Sequence, residues 1–233
     1  MLGLGRTAAT AAAVVLGAGT ALGGWAVSTV ENPPASLQSG GSYRIEFTVR
    51  QHGLNLLSGL HPQVRVLDAA AGRSAEPITE VAAGSAGKEG RYAATIQVPR
   101  RDSIRLVVAS GFGRGRQTEL TLMPVAVVRP GARPRDLSAA EQGRHLFVAK
   151  GCGTCHVNGD VPEWAEWNEG GRVGPELTGR RLDAEYVRQR LTNPGSLPAI
   201  GTGNIRMPNL GLGESEVDAL VALLSESRVT ATK

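Results

Sequence analysis

Ser42-Tyr-Arg-Ile-Glu-Phe-Thr-Val-Arg50 decides the fold. Tyr43, Ile45, Phe47 and Val49 alternate with polar or charged neighbours, and a period of two places these four side chains on one face of a β-strand. The alternation returns at Tyr92, Ala94, Ile96 and Val98, and in shorter form at Val64–Leu67, Ile104–Val108 and Glu119–Leu122. Turn residues separate the runs, as in Ser39-Gly-Gly-Ser42, Ala71-Gly-Arg-Ser74 and Gly111-Phe-Gly-Arg-Gly115. No helical stretch of useful length interrupts them. Residues 31–128 are therefore expected to form roughly seven short antiparallel strands packed as a sandwich.

Upstream, the chain carries no charge from Thr7 to Val30, with Arg6 before the run and Glu31 after it. At about 1.5 Å per residue, a helix over that run matches one bilayer crossing. The expectation is an N-terminal transmembrane helix within residues 1–30, an export signal, an anchor or both. Its length exceeds an ordinary signal core and favours an anchor. The positive charge ahead of it predicts single-pass insertion in the cytoplasmic membrane, with the bulk of the chain on the periplasmic side. Gly19-Thr-Ala-Leu-Gly23 is a small-xxx-small step suited to close helix packing.

Downstream, Arg129-Pro-Gly-Ala-Arg-Pro-Arg135 coincides with a change of charge. Residues 1–135 carry 15 Lys+Arg against 8 Asp+Glu, and residues 136–233 carry 10 against 13. A linker over 129–136 and a second domain over 137–233 follow from that break. The chain reads as multidomain: membrane helix, all-β sandwich, all-α C-terminal domain. No nucleic-acid partner is expected.

The C-terminal part holds both cysteines, in Lys150-Gly-Cys-Gly-Thr-Cys-His156. Thiols two residues apart suit a redox dithiol, half a zinc site or two attachment points for a cofactor. Tetrahedral zinc needs four ligands, and the chain has no second cysteine pair and no His-x₃₋₅-His. A thioredoxin-type dithiol belongs between a strand and a helix in a βαβ setting, a pattern missing here. Cys-x-x-Cys-His fits covalent attachment of one haem c: each thiol adds to a vinyl group and the histidine reaches the iron. The flanks read as helices. Ser138 and Glu141 have capping-box spacing before Ala139, Gly143, Leu146 and Phe147 on one face. Asp183–Leu191 reads as a helix ended by Asn193-Pro194, and Glu214–Leu224 as another with Val217, Leu220, Val221 and Leu224 in a stripe.

On these residues, segment 136–226 resembles a class I monohaem cytochrome c. Gly143 and Phe147 match its N-terminal helix, Cys152-Gly-Thr-Cys-His156 its haem motif, and Gly174-Pro175 the turn beneath the proximal histidine. Ile205-Arg-Met-Pro-Asn209 matches the loop of its distal methionine, and Glu216–Leu224 its C-terminal helix. The resemblance implies cofactor binding by Cys152, Cys155, His156, Met207 and Pro175, with His156 and Met207 as metal ligands. Met207 also follows from the residues themselves, because the other methionines are Met1 and Met123, one in the apolar N-terminus and one in a strand pattern. His145, seven residues before Cys152 on the same helix, is the rival.

A His/Met iron implies single-electron transfer by a carrier, or by a subunit of a respiratory or photosynthetic complex, with redox proteins or membrane subunits as partners. No enzyme activity is expected. Several residues stay open between two roles. Trp164 and Trp167 either pack against the cofactor or form a docking spot with the nearby glutamates. Arg172, Arg180 and Arg181 either pair haem propionates or form a solvated face. His52 and His61, nine residues apart, either pack a loop or bind metal. The sandwich also resembles the immunoglobulin-like domains of membrane-anchored extracytoplasmic proteins, some of which handle copper. The alternative function is accordingly a copper- or protein-binding assembly or sensor module with accessory haem.

Overall fold

The computed structural model describes residues 25–113, 118–170, 173–198 and 206–225. Its strands are β1 (Ala26–Val30), β2 (Ser36–Gln38), β3 (Ser42–Gln51), β4 (Asn55–Leu56), β5 (Gln63–Asp68), β6 (Thr79–Ala82), β7 (Gly84–Ser85), β8 (Arg91–Gln97), β9 (Ser103–Ala109), β10 (Glu119–Thr121) and β11 (Val125–Val128). One sheet runs β1-β3-β8-β7 with β4 on β3, and the other runs β2-β11-β9-β5-β6 with β10 on β9. All pairs are antiparallel except β2 with β11.

Period two explains the core between the sheets. β3 and β8 pair in a register that sets Ile45 opposite Ala94 and Phe47 opposite Tyr92. One face of the first sheet is thereby apolar, and the rings of Phe47 and Tyr92 stack with centroids 5.9 Å apart. In the second sheet Val64 lies opposite Val108 and Val66 opposite Leu106. All of these side chains are buried. Full burial of one such residue stabilises by about 1.5 to 3 kcal/mol, so this face dominates the energetics of the sandwich.

β1 corrects the expected anchor. The last five residues of the uncharged run form an edge strand rather than a membrane helix, paired with β3 from Ala26 opposite Gln51 to Val30 opposite Phe47. All five are buried. Among the described residues no helix is long and apolar enough to cross a membrane, and residues 1–24, where the rest of the expected span falls, lie outside them. The span as drawn to Val30 is corrected by β1, and no described residue supports the N-terminal transmembrane helix or the single-pass periplasmic placement drawn from the run's length and the charge ahead of it.

The helices are α1 (Ala139–Ala149), α2 (Pro162–Trp167), α3 (Ala184–Thr192) and α4 (Glu214–Ser225). α1 starts in a capping box: Glu141 N–H donates to Ser138 Oγ at 3.3 Å, and Ser138 N–H donates to Glu141 Oε2 at 2.9 Å. It buries Gly143, Phe147, Val148 and Ala149, while Ala139, placed on the same face by spacing, is exposed. α3 is capped by Asp183, whose carboxylate accepts from Tyr186 N–H at 2.8 Å.

The independent all-α domain is the second correction. The four helices have only 11, 6, 9 and 12 residues and are joined by irregular segments. Strands dominate the regular structure, and the packing of the helices on one another is continuous with that of the sandwich. Buried residues of both parts form one hydrophobic cluster that extends from Phe47 and Leu106 to Phe147 and Leu220. Polar contacts cross the junction too. Asn168 bonds to both backbone groups of Thr121, Thr29 Oγ1 donates to Lys150 O at 3.4 Å, and Arg105 lies 4.1 Å above the Trp167 ring. The helical part caps the sandwich.

Candidate functional site

The site begins where α1 ends. Gly151 follows with φ 71°, a left-handed conformation that favours glycine. A Cβ at Gly151 would also lie 2.7 Å from Ser28 O and 2.8 Å from Val27 Cγ1, so β1 presses directly on this turn. A single 3₁₀ turn, Cys152–Thr154, comes next. His156 N–H and Cys155 N–H both donate to Cys152 O, at 3.0 and 3.2 Å. This compact turn brings two sulfurs and an imidazole to one place.

His156 is oriented by the turn below it. Its Nδ1–H donates to Pro175 O at 2.9 Å, since a carbonyl can only accept, and Nε2 is left with the free lone pair. Gly174 N–H in turn donates to Cys155 O at 3.0 Å. A Cβ at Gly174 would sit 2.6 Å from His156 Cε1, so only glycine lets the backbone pass this close beneath the ring. Burial holds the imidazole pKa below its ordinary value, against the opposing effect of the Pro175 bond. The ring is therefore neutral near pH 7, the form that ligates metal.

Cys152, Cys155, His156, Pro175 and Met207 all line one cavity of about 530 Å³. Its other walls are mostly apolar, with Phe147, Leu191 and Leu220 among them. Burial raises the Cys152 thiol to about 12, with the neighbouring Cys155 adding to the shift, and raises Cys155 to about 11. Reactive redox thiols are shifted downward instead, so a thioredoxin-like role fits poorly. The two cysteines are not joined.

The sandwich supplies part of the wall, through Val27, Thr29, Arg50 and Gly53. Sequence reasoning missed these four, which belong to no motif. Their place follows from β1 meeting the cysteine turn, and from Gly53, where a Cβ would come 3.9 Å from Pro208 Cγ.

The residues left open resolve as follows. Trp164 is buried against Gly153, whose added Cβ would stand 2.2 Å from Trp164 Cδ2. Trp167 stacks under Arg105 of β9. Both tryptophans pack against protein, and neither lines the cavity, so the expected packing against a cofactor is not what the structure places there. Arg180 lines the cavity and Arg181 does not, while Arg172 lies outside the described residues. His145 is absent from the lining. His52 meets Trp25 edge to face at 5.5 Å, and among the described residues no group of three or more His, Cys, Asp or Glu is placed to hold a metal ion.

No protein family description matches the chain, and no curated protein does. Among solved structures it is similar to a superoxide reductase (neelaredoxin) from Ignicoccus hospitalis, at 16% identity and a TM-score of 0.28, covering 44% of this chain and 80% of that one. A likeness that slight carries no argument about activity. The two family resemblances are corrected by these findings together. With no matching family, a mainly β fold, four short helices and no acidic, histidine and cysteine metal cluster among the described residues, the chain is assigned neither to the class I monohaem cytochromes c nor to a membrane-anchored immunoglobulin-like group.

Proposed function

We propose that the chain binds one haem covalently and transfers single electrons between redox protein partners. The observation that carries this reading is the shared cavity, in which both sulfurs of a Cys-x-x-Cys-His turn, an oriented imidazole and one methionine meet within apolar walls. About 530 Å³ lies inside the range of small-molecule and cofactor pockets, roughly 300 to 1,000 Å³. A tetrapyrrole brings four iron ligands of its own, so His156 and Met207 complete six without a further acidic or histidine cluster.

Each residue has one task. Cys152 and Cys155 would hold the ring through thioether bonds, each thiol adding across one vinyl group. His156 would offer Nε2 to the iron, with Pro175 O fixing its tautomer and angle, and Met207 would supply a soft sulfur from the same cavity. Haem iron supplies a one-electron couple, whose potential thioether ligation raises relative to bis-histidine. The apolar lining limits water and keeps reorganisation small. With His156 and Met207 both given to the iron, the reading includes no substrate turnover.

Met207→Ala tests the ligand set. The parent protein is expected to give the absorption spectrum of a six-coordinate low-spin haem, unchanged by carbon monoxide when reduced. The variant is expected to turn high-spin and to bind carbon monoxide. A variant indistinguishable from the parent would remove Met207 from the ligand set and the electron-transfer argument with it.

A further inference from the structure

The cofactor cavity is not enclosed by the helical part alone, and the most polar side chain that the sandwich brings to it is Arg50 of β3. The guanidinium is tied toward the cysteine turn by a short relay: Arg50 Nη1 donates to Thr29 Oγ1 at 3.5 Å, and Thr29 Oγ1 donates to Lys150 O at 3.4 Å. Lys150 directly precedes Gly151 and Cys152.

The charges around Arg50 do not cancel it. Glu31 lies beside it, but its carboxylate also faces Arg91 Nη2 at 3.6 Å and accepts from Thr48 Oγ1. Two arginines against one glutamate leave this cluster with a net charge of +1. Buried Lys150 Nζ, nearest the turn, stands 2.8 Å from Glu216 Oε1, and the other cations of the lining, Arg180, Arg190 and Arg206, all come from the helical part. Burial lowers the pKa of Arg50 below the ordinary arginine value, yet an arginine stays protonated at any physiological pH. A fixed, half-buried positive charge therefore stands at the wall of a mostly apolar cavity, where screening is weaker than at an open surface.

Resting on the haem reading above, we infer that the β-sandwich is a working wall of the cofactor site, and that Arg50 is the charge through which it sets the reduction potential. The oxidised centre carries one more positive charge than the reduced one. A cation at the wall disfavours oxidation and raises the potential, and this contribution comes from a part of the chain that carries none of the attachment or ligand residues.

The test is a mediated spectroelectrochemical titration of the full chain carrying its cofactor. Arg50→Gln is expected to lower the midpoint potential, Arg50→Lys to restore most of the parent value, and Arg44→Gln, on the exposed end of the same strand, to leave it unchanged. Glu31→Gln, which removes the negative member of the cluster, is expected to raise it and keeps the test decisive if Arg50→Gln does not fold. Midpoints of Arg50→Gln and Glu31→Gln equal to the parent's, with the haem spectrum intact, would overturn the inference and leave the haem reading standing. A parent protein without covalent haem would overturn both.

Discussion

Gly143→Ala is expected to destabilise the protein by roughly 3 kcal/mol or more, the upper end of overpacking costs. In an exposed helix the same change stabilises by about 1 kcal/mol, because alanine is the better helix former. Here the sign reverses. The new methyl would lie 2.1 Å from Ala219 O and 2.8 Å from Leu223 Cβ, both on α4. A backbone carbonyl inside a helix cannot swing aside as a flexible side chain can, so α1 and α4 must separate. Phe147 and Leu220, both buried, then lose packing, and the cavity they line opens. Denaturant unfolding of the variant checks this. Stability equal to or above the parent's would mean that the helices do not cross at Gly143.

Asn168→Ala carries the second large effect, about 3 kcal/mol from two buried backbone groups left without partners at roughly 1 to 3 kcal/mol each. Asn168 Nδ2–H donates to Thr121 O at 2.9 Å, and Thr121 N–H donates to Asn168 Oδ1 at 2.6 Å. Both residues are buried, and their positions are 47 apart in sequence. The side-chain amide occupies the edge of β10 as another strand would. Because this pair joins sandwich to helical cap, the parent is expected to unfold in one transition, followed by the fluorescence of Trp25, Trp164 and Trp167 together and by far-ultraviolet circular dichroism. In Asn168→Ala that transition shifts to lower denaturant. Two separate transitions in the parent, or an unmoved midpoint in the variant, would contradict the description of a single cooperative unit.

How far the sequence could be read depended on whether each signal was local. β3 and β8 were legible because Ile45, Phe47 and Val49, and Tyr92, Ala94 and Ile96, are all buried, while on the opposite faces only Thr48 and Ala93 are, so alternation survives in the residues themselves. β1 hid for the opposite reason. It is buried all along its length between the sandwich core and the cysteine turn, and five buried residues adjoining an uncharged run look like more of that run. The Pro- and Arg-bearing stretch 129–135 marks a real change in composition, but charge balance does not report packing. Phe147, Val148 and Trp164 share one cluster with the sandwich.

The site divides in the same way. Cys152, Cys155 and His156 could be singled out because they fall within five residues, and Met207 by elimination among three methionines; the structure places all four on one cavity. Pro175 came only with the family resemblance, since a carbonyl that orients an imidazole has no side-chain signature. Thr29 and Arg50 were beyond reach. The bond from Thr29 to Lys150 spans 121 residues, and nothing near Arg50 in sequence sets it apart from the other arginines.

The most direct test of the central claim is the intact mass of the full chain under denaturing conditions, after production in a host that attaches haem to Cys-x-x-Cys-His turns. The predicted result is the polypeptide plus one haem, with no free thiol left to alkylate. A mass equal to the bare polypeptide, with Cys152 and Cys155 both alkylated, would contradict covalent haem and leave the cavity without the cofactor assigned to it.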